Sequence, residues 1–179
     1  MSTLFQPLSI GSLALPNRIV IAPMCQYSAD DGSATDWHLI HLGHLALSGA
    51  GLLILEATAV EQRGRITPGC LGLYSDANEA ALARVLHAVR AHSAMPLAIQ
   101  LAHAGRKASM ARPWYGNGPL TGDDVARGDH GWPIIGPTDA PVAEGWQSPA
   151  PAGDADLATL LDAFVAAARR AQVAGFDIA

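Results

Sequence analysis

Three short stretches carry side chains able to do chemistry, and each lies at the end of an apolar run. Cys25 and Tyr27 stand just past Arg18–Met24, Glu56-Ala57-Thr58-Ala59 closes Leu52–Val60, and Gln100-Leu101-Ala102-His103 closes Leu97–Leu101. A thiol so placed can serve as a nucleophile, a metal ligand, or a hydrogen-bond donor that adjusts a redox cofactor. It is equally the residue type most often used as a small buried filler. Tyr27 is either a pocket-lining phenol or a packed aromatic with its hydroxyl at the surface. The small Ala57 and Ala59 let a flat ring or a backbone approach closely, or simply pack against helices. Gln100 offers a donor and an acceptor on one amide. That suits a heterocycle edge of alternating C=O and N–H groups, such as a flavin pyrimidine ring, and it suits a structural hydrogen bond as well.

Other residues invite chemistry and do not sustain it. His38, His41 and His44 fall at i, i+3 and i+6, which sets the first and last about 120 degrees apart around a helix and about 9 Å apart along it, too far for one compact metal site. Adding His103 does not repair that geometry, so no metal is expected. Cys25 and Cys70 lie in loops on the same rim; a disulfide between them is conceivable, but two cysteines cannot build a framework, and a reducing cytoplasm is the simpler compartment. Trp114, Trp132 and Trp146 fall in one long loop, where they either line a lid or hold together a segment with no regular structure.

The elements that must position these groups follow a repeating plan. Leu8–Leu15 alternates around Gly11-Ser12 and reads as a hairpin ended by Pro16-Asn17. Arg18–Met24 reads as a strand buried on both faces. A polar loop, Ser28–Thr35, leads to Asp36, expected to cap a helix from Trp37 to about Ser48 that Gly49 and Gly51 end. Leu52–Val60 is a second buried strand, followed by the loop Glu61–Ser75. Asp76 and Glu79 resemble a capping box opening a second helix, with Leu82, Val85, Leu86 and Val89 on one stripe. Leu97–Leu101 is the third strand. The long loop Ala104–Gly153 precedes a third helix, Asp156–Ala174, whose expected core stripe is Leu157, Leu160, Leu161, Phe164 and Ala168, closed by Gly175. Phe176-Asp177-Ile178-Ala179 begins a fourth strand.

Strand and helix alternating in this way build right-handed βαβ units around a parallel sheet. The loops after strands are long and those before them short, as in a (β/α)8 barrel, whose active site is made by the loops at the C-terminal ends of its strands. An open doubly wound sheet would carry a glycine-rich turn after the first strand, and Pro23-Met24-Cys25-Gln26-Tyr27 has no glycine. The expected fold class is therefore α/β, a TIM barrel of which residues 1–179 supply about three and a half βα units. A full barrel needs about 250 residues.

Composition narrows the partners. The 179 residues are 50% hydrophobic and 15% charged, enough for a packed core. Eleven basic against sixteen acidic residues give a charge of −5, which argues against nucleic acid, whose phosphates require a basic face. No apolar run approaches the ~18 residues that span a bilayer. The N-terminus, Met1 to Gln6, has neither the basic nor the apolar segment of a secretory signal, so no membrane or export role is expected.

Taken in order, Ala22-Pro23-Met24-Cys25-Gln26-Tyr27, Glu56-Ala57-Thr58-Ala59-Val60, Gly64-Arg65-Ile66-Thr67-Pro68 and Gln100 to Lys107 resemble the Old Yellow Enzyme family of FMN-dependent ene-reductases. The Cys25 and Tyr27 pair points to its bacterial thermophilic-like branch. The resemblance implies FMN at the C-terminal mouth of the barrel, with Pro23 and Met24 touching the flavin through backbone. It implies that Cys25 adjusts the flavin potential, that Ala57 lies beside the ring and that Gln100 binds its pyrimidine edge. Tyr27 and Ile66 match residues lining the substrate pocket. The implied reaction is reduction of FMN by NAD(P)H, then hydride transfer to the β-carbon of an activated alkene whose carbonyl or nitro group is held by hydrogen bonds.

The family's carbonyl-binding pair follows the fourth strand, and its proton-donating tyrosine and phosphate loops lie further on. The resemblance therefore covers the N-terminal half of an ene-reductase. It implies a homo-oligomer for the full-length form and a need here for the complementary C-terminal half. A half barrel leaves a strand edge unpaired and part of its apolar interior open. Each fully buried aliphatic side chain is worth roughly 1.5–3 kcal/mol, so the isolated chain is expected to fold poorly and to lack ene-reductase activity.

Overall fold

The computed structural model describes residues 2–179. An antiparallel hairpin, β1 (Leu8–Ile10) and β2 (Leu13–Leu15), opens the chain with Leu8 opposite Leu15. Then come β3 (Val20–Ile21), α1 (Asp36–Ala46), β4 (Leu52–Ala59), α2 (Asp76–Arg90) and β5 (Leu97–Ala102). Within the following long loop stand α3 (Gly122–Ala126) and a parallel pair, β6 (Ile135–Gly136) and β7 (Ala150–Pro151). The 21-residue α4 (Asp154–Ala174) closes the order. The main sheet is parallel in the order β3-β4-β5. Among the described residues the architecture is thus α/β with a parallel sheet and no closed barrel.

A fourth strand begins where the sequence places it. Asp177 donates its N–H to the Leu97 carbonyl at 2.9 Å, and Ile99 donates to the Ile178 carbonyl at 3.0 Å. The sheet's outer face packs Leu53, Leu55, Leu97 and Ile99 against Leu42 and Ala46 of α1, the α2 stripe, and Ala167 and Ala171 of α4. Its inner face, at the N-terminal ends of the strands, is covered by the hairpin through Leu8, Leu13 and Leu15 against Leu52, Ile54 and Ala98.

Four expectations need correction. The strand expected over Arg18–Met24 narrows to Val20–Ile21, with Val20 and Met24 exposed rather than buried on both faces. Its partner lies on one side only, and Pro23 has no N–H to extend a ladder. The α1 cap is Thr35, not Asp36, and its partner at N3 is His38, whose Nδ1 accepts the Thr35 N–H at 3.0 Å. The α2 cap is Ser75, whose hydroxyl accepts from the Asn78 N–H; Asp76 and Glu79 pair instead with Arg170 of α4, both at 2.7 Å. Lastly, the α4 stripe faces outward. Leu157, Leu161 and Phe164 are exposed, and the helix packs through Ala163, Ala167, Ala171 and Ala174.

The long loop is ordered by its own contacts. Trp132 donates its Nε1–H to the Arg63 carbonyl at 2.9 Å and receives the Arg65 guanidinium on its ring face. Thr121 caps α3 through Asp124, Asp124 pairs with Arg127, and Arg127 lies over the Tyr115 ring.

Candidate functional site

A β-bulge decides which side chains meet at the mouth. Pairing between β4 and β5 steps from Leu55 opposite Ile99 to Ala57 opposite Gln100, so Glu56 is an extra residue. Leu53 and Leu55 face the helices, and strict alternation would send Ala57 the same way. The bulge reverses this: Glu56 turns to α1, and Ala57 turns to the inner face, as bulges commonly re-aim side chains near sites. Gln100, two residues beyond the inner Ala98, shares that face and is exposed there.

The Cys25–Tyr27 segment packs across the top of this face. The half-buried Cys25 thiol lies by the Ala57 backbone and the Tyr27 side chain; burial first, then the Cys70 thiol and Glu56 carboxylate, push it up to about 12. It is therefore a protonated donor at neutral pH and no thiolate nucleophile. Burial also raises the Tyr27 phenol above its usual range, with Cys25, Cys70 and Glu56 adding to the effect.

Tyr27 has a left-handed backbone, φ 50°, that costs energy for a non-glycine residue unless neighbours hold it. The holders are visible. Arg112 donates from Nη1 to the Tyr27 carbonyl at 3.1 Å and is itself held by Asp129 at 3.1 Å. Trp114 meets the Tyr27 ring edge-on at 5.8 Å, and Gly69 approaches so closely that a Cβ there would strike the Tyr27 carbonyl. Trp37 donates Nε1–H to the Gln26 side-chain oxygen, and the Gln26 Nε2 donates to the Met24 carbonyl at 2.9 Å. Pro23 is half-buried and Met24 exposed at the start of this segment.

Ala57 and Ile66 line one cavity of about 190 Å³ with Ala59, Ala102, Cys70, His103 and Lys107. Cys70 is buried, receives the Thr67 N–H at 3.3 Å and is raised by burial; both cysteines are free. His103 Nε2 meets Glu61 Oε1 at 2.8 Å while its Nδ1 accepts the Gly105 N–H. Glu61 also holds Arg63, which reaches Asp156 in the first turn of α4, so one ion network ties the loops after β4 and β5 to α4.

Every site residue read from the sequence is now placed. Cys25, Tyr27, Ala57 and Gln100 come together, Ile66 joins Ala57 across the cavity, and Pro23 and Met24 lead into the Cys25 turn. Sequence reasoning missed Cys70, His103 and Lys107 as cavity walls, Arg112 as the holder of Tyr27, and the Glu56–His38 pair behind Gln26. The histidines considered for metal separate: His38 is buried, His41 stacks on Trp37 with a pKa lowered by burial, and His44 is exposed.

These residue types suit an isoalloxazine: Ala57 and Ala59 leave room for a flat ring, and Gln100, in register with Ala57, offers a carboxamide. The sequence profile of the NADH:flavin oxidoreductase / NADH oxidase family matches residues 3–179. The chain belongs to that family. Membership brings FMN as the family's cofactor and a nicotinamide as its reductant. An NADH:flavin oxidoreductase of Gibberella zeae is 44% identical over 178 residues, covering 97% of this chain and 42% of the relative. An NADPH dehydrogenase of Geobacillus sp. is 39% identical over 177 residues, covering 98% of this chain and 46% of the relative. Among solved structures, morphinone reductase superposes with a TM-score of 0.79 at 28% identity, over 98% of this chain and 46% of its own. The Old Yellow Enzyme homologue from Zymomonas mobilis gives 0.76 at 25% identity over 99% of this chain and 47% of its own. The chain spans a little under half the length of these relatives. The Old Yellow Enzyme resemblance read from four motifs is thereby shown.

Proposed function

We propose that this chain is the flavin-binding N-terminal part of an FMN-dependent NAD(P)H oxidoreductase that reduces activated C=C bonds of α,β-unsaturated carbonyl or nitro compounds. The observation that carries the reading is the bulge-set register of Ala57 beside Gln100, with the Cys25 turn packed over Ala57. When bound, FMN supplies hydride transfer from the nicotinamide to the alkene. The chain's residues bind and orient it: Pro23 and Met24 offer backbone, Gln100 a carboxamide to the pyrimidine edge, and Ala57 room for the ring plane. Cys25 keeps its proton and donates toward the flavin. Tyr27 and Ile66 shape the substrate pocket, with Tyr27 held by Arg112. A morphinone reductase complex with tetrahydroNAD superposes over 99% of this chain, which supports a nicotinamide as the reductant.

The same reading assigns the exposed α4 stripe and the free edge of β3 to contacts with the remaining βα units of a closed (β/α)8 barrel, and a homo-oligomer to the assembled form. Those units would also bring the groups that hold the alkene's carbonyl. Alone, the chain is then poorly stable and inactive. Titrating FMN into the chain, with and without a chain carrying the remaining strands, tests this. Tight flavin binding and NADPH-dependent reduction of cyclohexenone are expected only in the mixture. Ala57→Leu should abolish flavin binding, and Gln100→Leu should weaken it by about 1–3 kcal/mol. Leu161→Asp should block assembly without changing the chain's own circular dichroism. Flavin binding undisturbed by Ala57→Leu would refute the site.

A further inference from the structure

Behind the Cys25 turn stands a buried ionisable pair that no step above uses. Glu56, the extra residue of the bulge, is 3% exposed and His38 of α1 is 1% exposed. Glu56 Oε2 accepts the backbone N–H of Gln26 at 3.0 Å, and Glu56 Oε1 lies 3.4 Å from His38 Nε2. Neither Oε1 nor Nε2 has another partner among the described residues. At the far side of the ring, Nδ1 accepts the Thr35 N–H at 3.0 Å, which requires Nδ1 to be unprotonated and puts the ring proton on Nε2, facing the carboxylate. The chain of contacts is directional: the α1 cap orients His38, His38 orients Glu56, and Glu56 grips the amide between Cys25 and Tyr27. A buried carboxylate is costly without hydrogen bonds, so its retention here calls for a reason beyond packing.

We infer that Glu56 and His38 form a positioning pair that fixes the Cys25–Gln26–Tyr27 turn and keeps a negative charge behind the Cys25 thiol. The inference rests on the proposed function only in taking that thiol to face the flavin. The groups acting on Cys25 are Tyr27 on its own segment, Glu56 on β4 and Cys70 on the loop after β4; His38 and His41 of α1 face Glu56. A carboxylate there opposes thiolate formation, so the pair holds both the place of the sulfur and its proton.

Two readouts, neither containing flavin or alkene, test the pair in the chain assembled with the remaining strands. The first is hydrogen exchange of the Gln26 amide. Glu56→Ala removes the acceptor, and exchange should quicken about tenfold or more, the loss of one buried charge-assisted hydrogen bond. His38→Gln retains a donor at the Nε2 position and should protect Gln26 like the parent. His38→Asn retains only the acceptor at the Nδ1 position and should expose it. If His38 serves merely as a helix cap, that ranking reverses, and the positioning role is overturned. The second readout is the pH profile of Cys25 alkylation by iodoacetamide, resolved from Cys70 by peptide mapping, with Cys70 protection as the standard of intact folding. Glu56→Gln should move the Cys25 midpoint down by about one pH unit while Cys70 stays protected. An unmoved midpoint overturns the charge role. A chain that passes both tests and yet binds no FMN when mixed with the remaining strands would count against the proposed function alone.

Discussion

Helices α2 and α4 present similar apolar periodicity and meet opposite fates. In α2, Leu82, Val85, Leu86 and Val89 recur at the spacing of one helical face and are 0–4% exposed. In α4, Leu157, Leu160, Leu161 and Phe164 recur in the same way, yet Leu161 is 66% exposed and the buried face is the alanine row of Ala163, Ala167, Ala171 and Ala174. The difference is neighbours. α2 lies between α1 and α4 over β4 and β5, so every apolar side chain on its stripe finds a partner. α4 has α2 on one side and the first residues of a fourth strand beneath it. A periodic stripe reports which face is able to be buried; only the presence of a partner decides that it is.

The comparison breaks most sharply in core truncation. Leu82→Ala should destabilise the chain by about 2–5 kcal/mol in urea unfolding, because it leaves a cavity among packed neighbours. Leu161→Ala should stay within about 0.5 kcal/mol, as for a surface substitution. Equal losses would show that the α4 stripe is packed after all. The alanine row provides the next test. Ala171→Leu should cost about 1–3 kcal/mol by overpacking the contact with α2, although it adds apolar surface. A stabilising effect would mean that the row is loosely seated.

pH separates the mouth of the sheet from the helix layer. The folded chain holds the Cys25 proton to about 12, whereas the unfolded thiol titrates near 9.0. A group whose folded pKa is raised stabilises fully below the unfolded value and loses that contribution as pH climbs to the folded one. Stability should therefore fall between about pH 9 and 12, and Cys25→Ser should flatten the fall. A parent profile as flat as the variant's would remove Cys25 from the buried mouth. A small, salt-dependent effect is expected at the ion pairs joining α4 to the start of α2. Arg170→Ala should cost no more than about 1 kcal/mol and should do so less at high salt.

Much of the fold was legible in the sequence because it depends on local periodicity. The hairpin around Gly11-Ser12, the strands at Leu52 and Leu97, and the close of α4 at Gly175 follow from alternation, apolar runs and a left-handed terminus. Of the candidate site, the residue types at strand ends, Cys25, Ala57 and Gln100, are legible in the sequence, and the structure sets Ala57 opposite Gln100. What stayed hidden involves long-range geometry. Arg112 reaches Tyr27 across 85 positions and Trp132 reaches Arg63 across 69. Nothing in the neighbourhood of either residue announces its partner.

The bulge at Glu56 divides the two kinds of information most clearly. The order of residues Leu55-Glu56-Ala57 was always present in the chain, and with it the requirement that a strand end in small side chains. Which of them would look inward was set by β5 pairing past one residue, a choice made between strands rather than within one. The sequence by itself determined the elements, their order and the chemistry available at their ends, because those follow from short-range sterics and hydrophobic pattern. Tertiary structure alone decided the facing of Ala57, the burial of the Glu56–His38 pair and the exposure of the α4 stripe, because each depends on what another segment brings alongside.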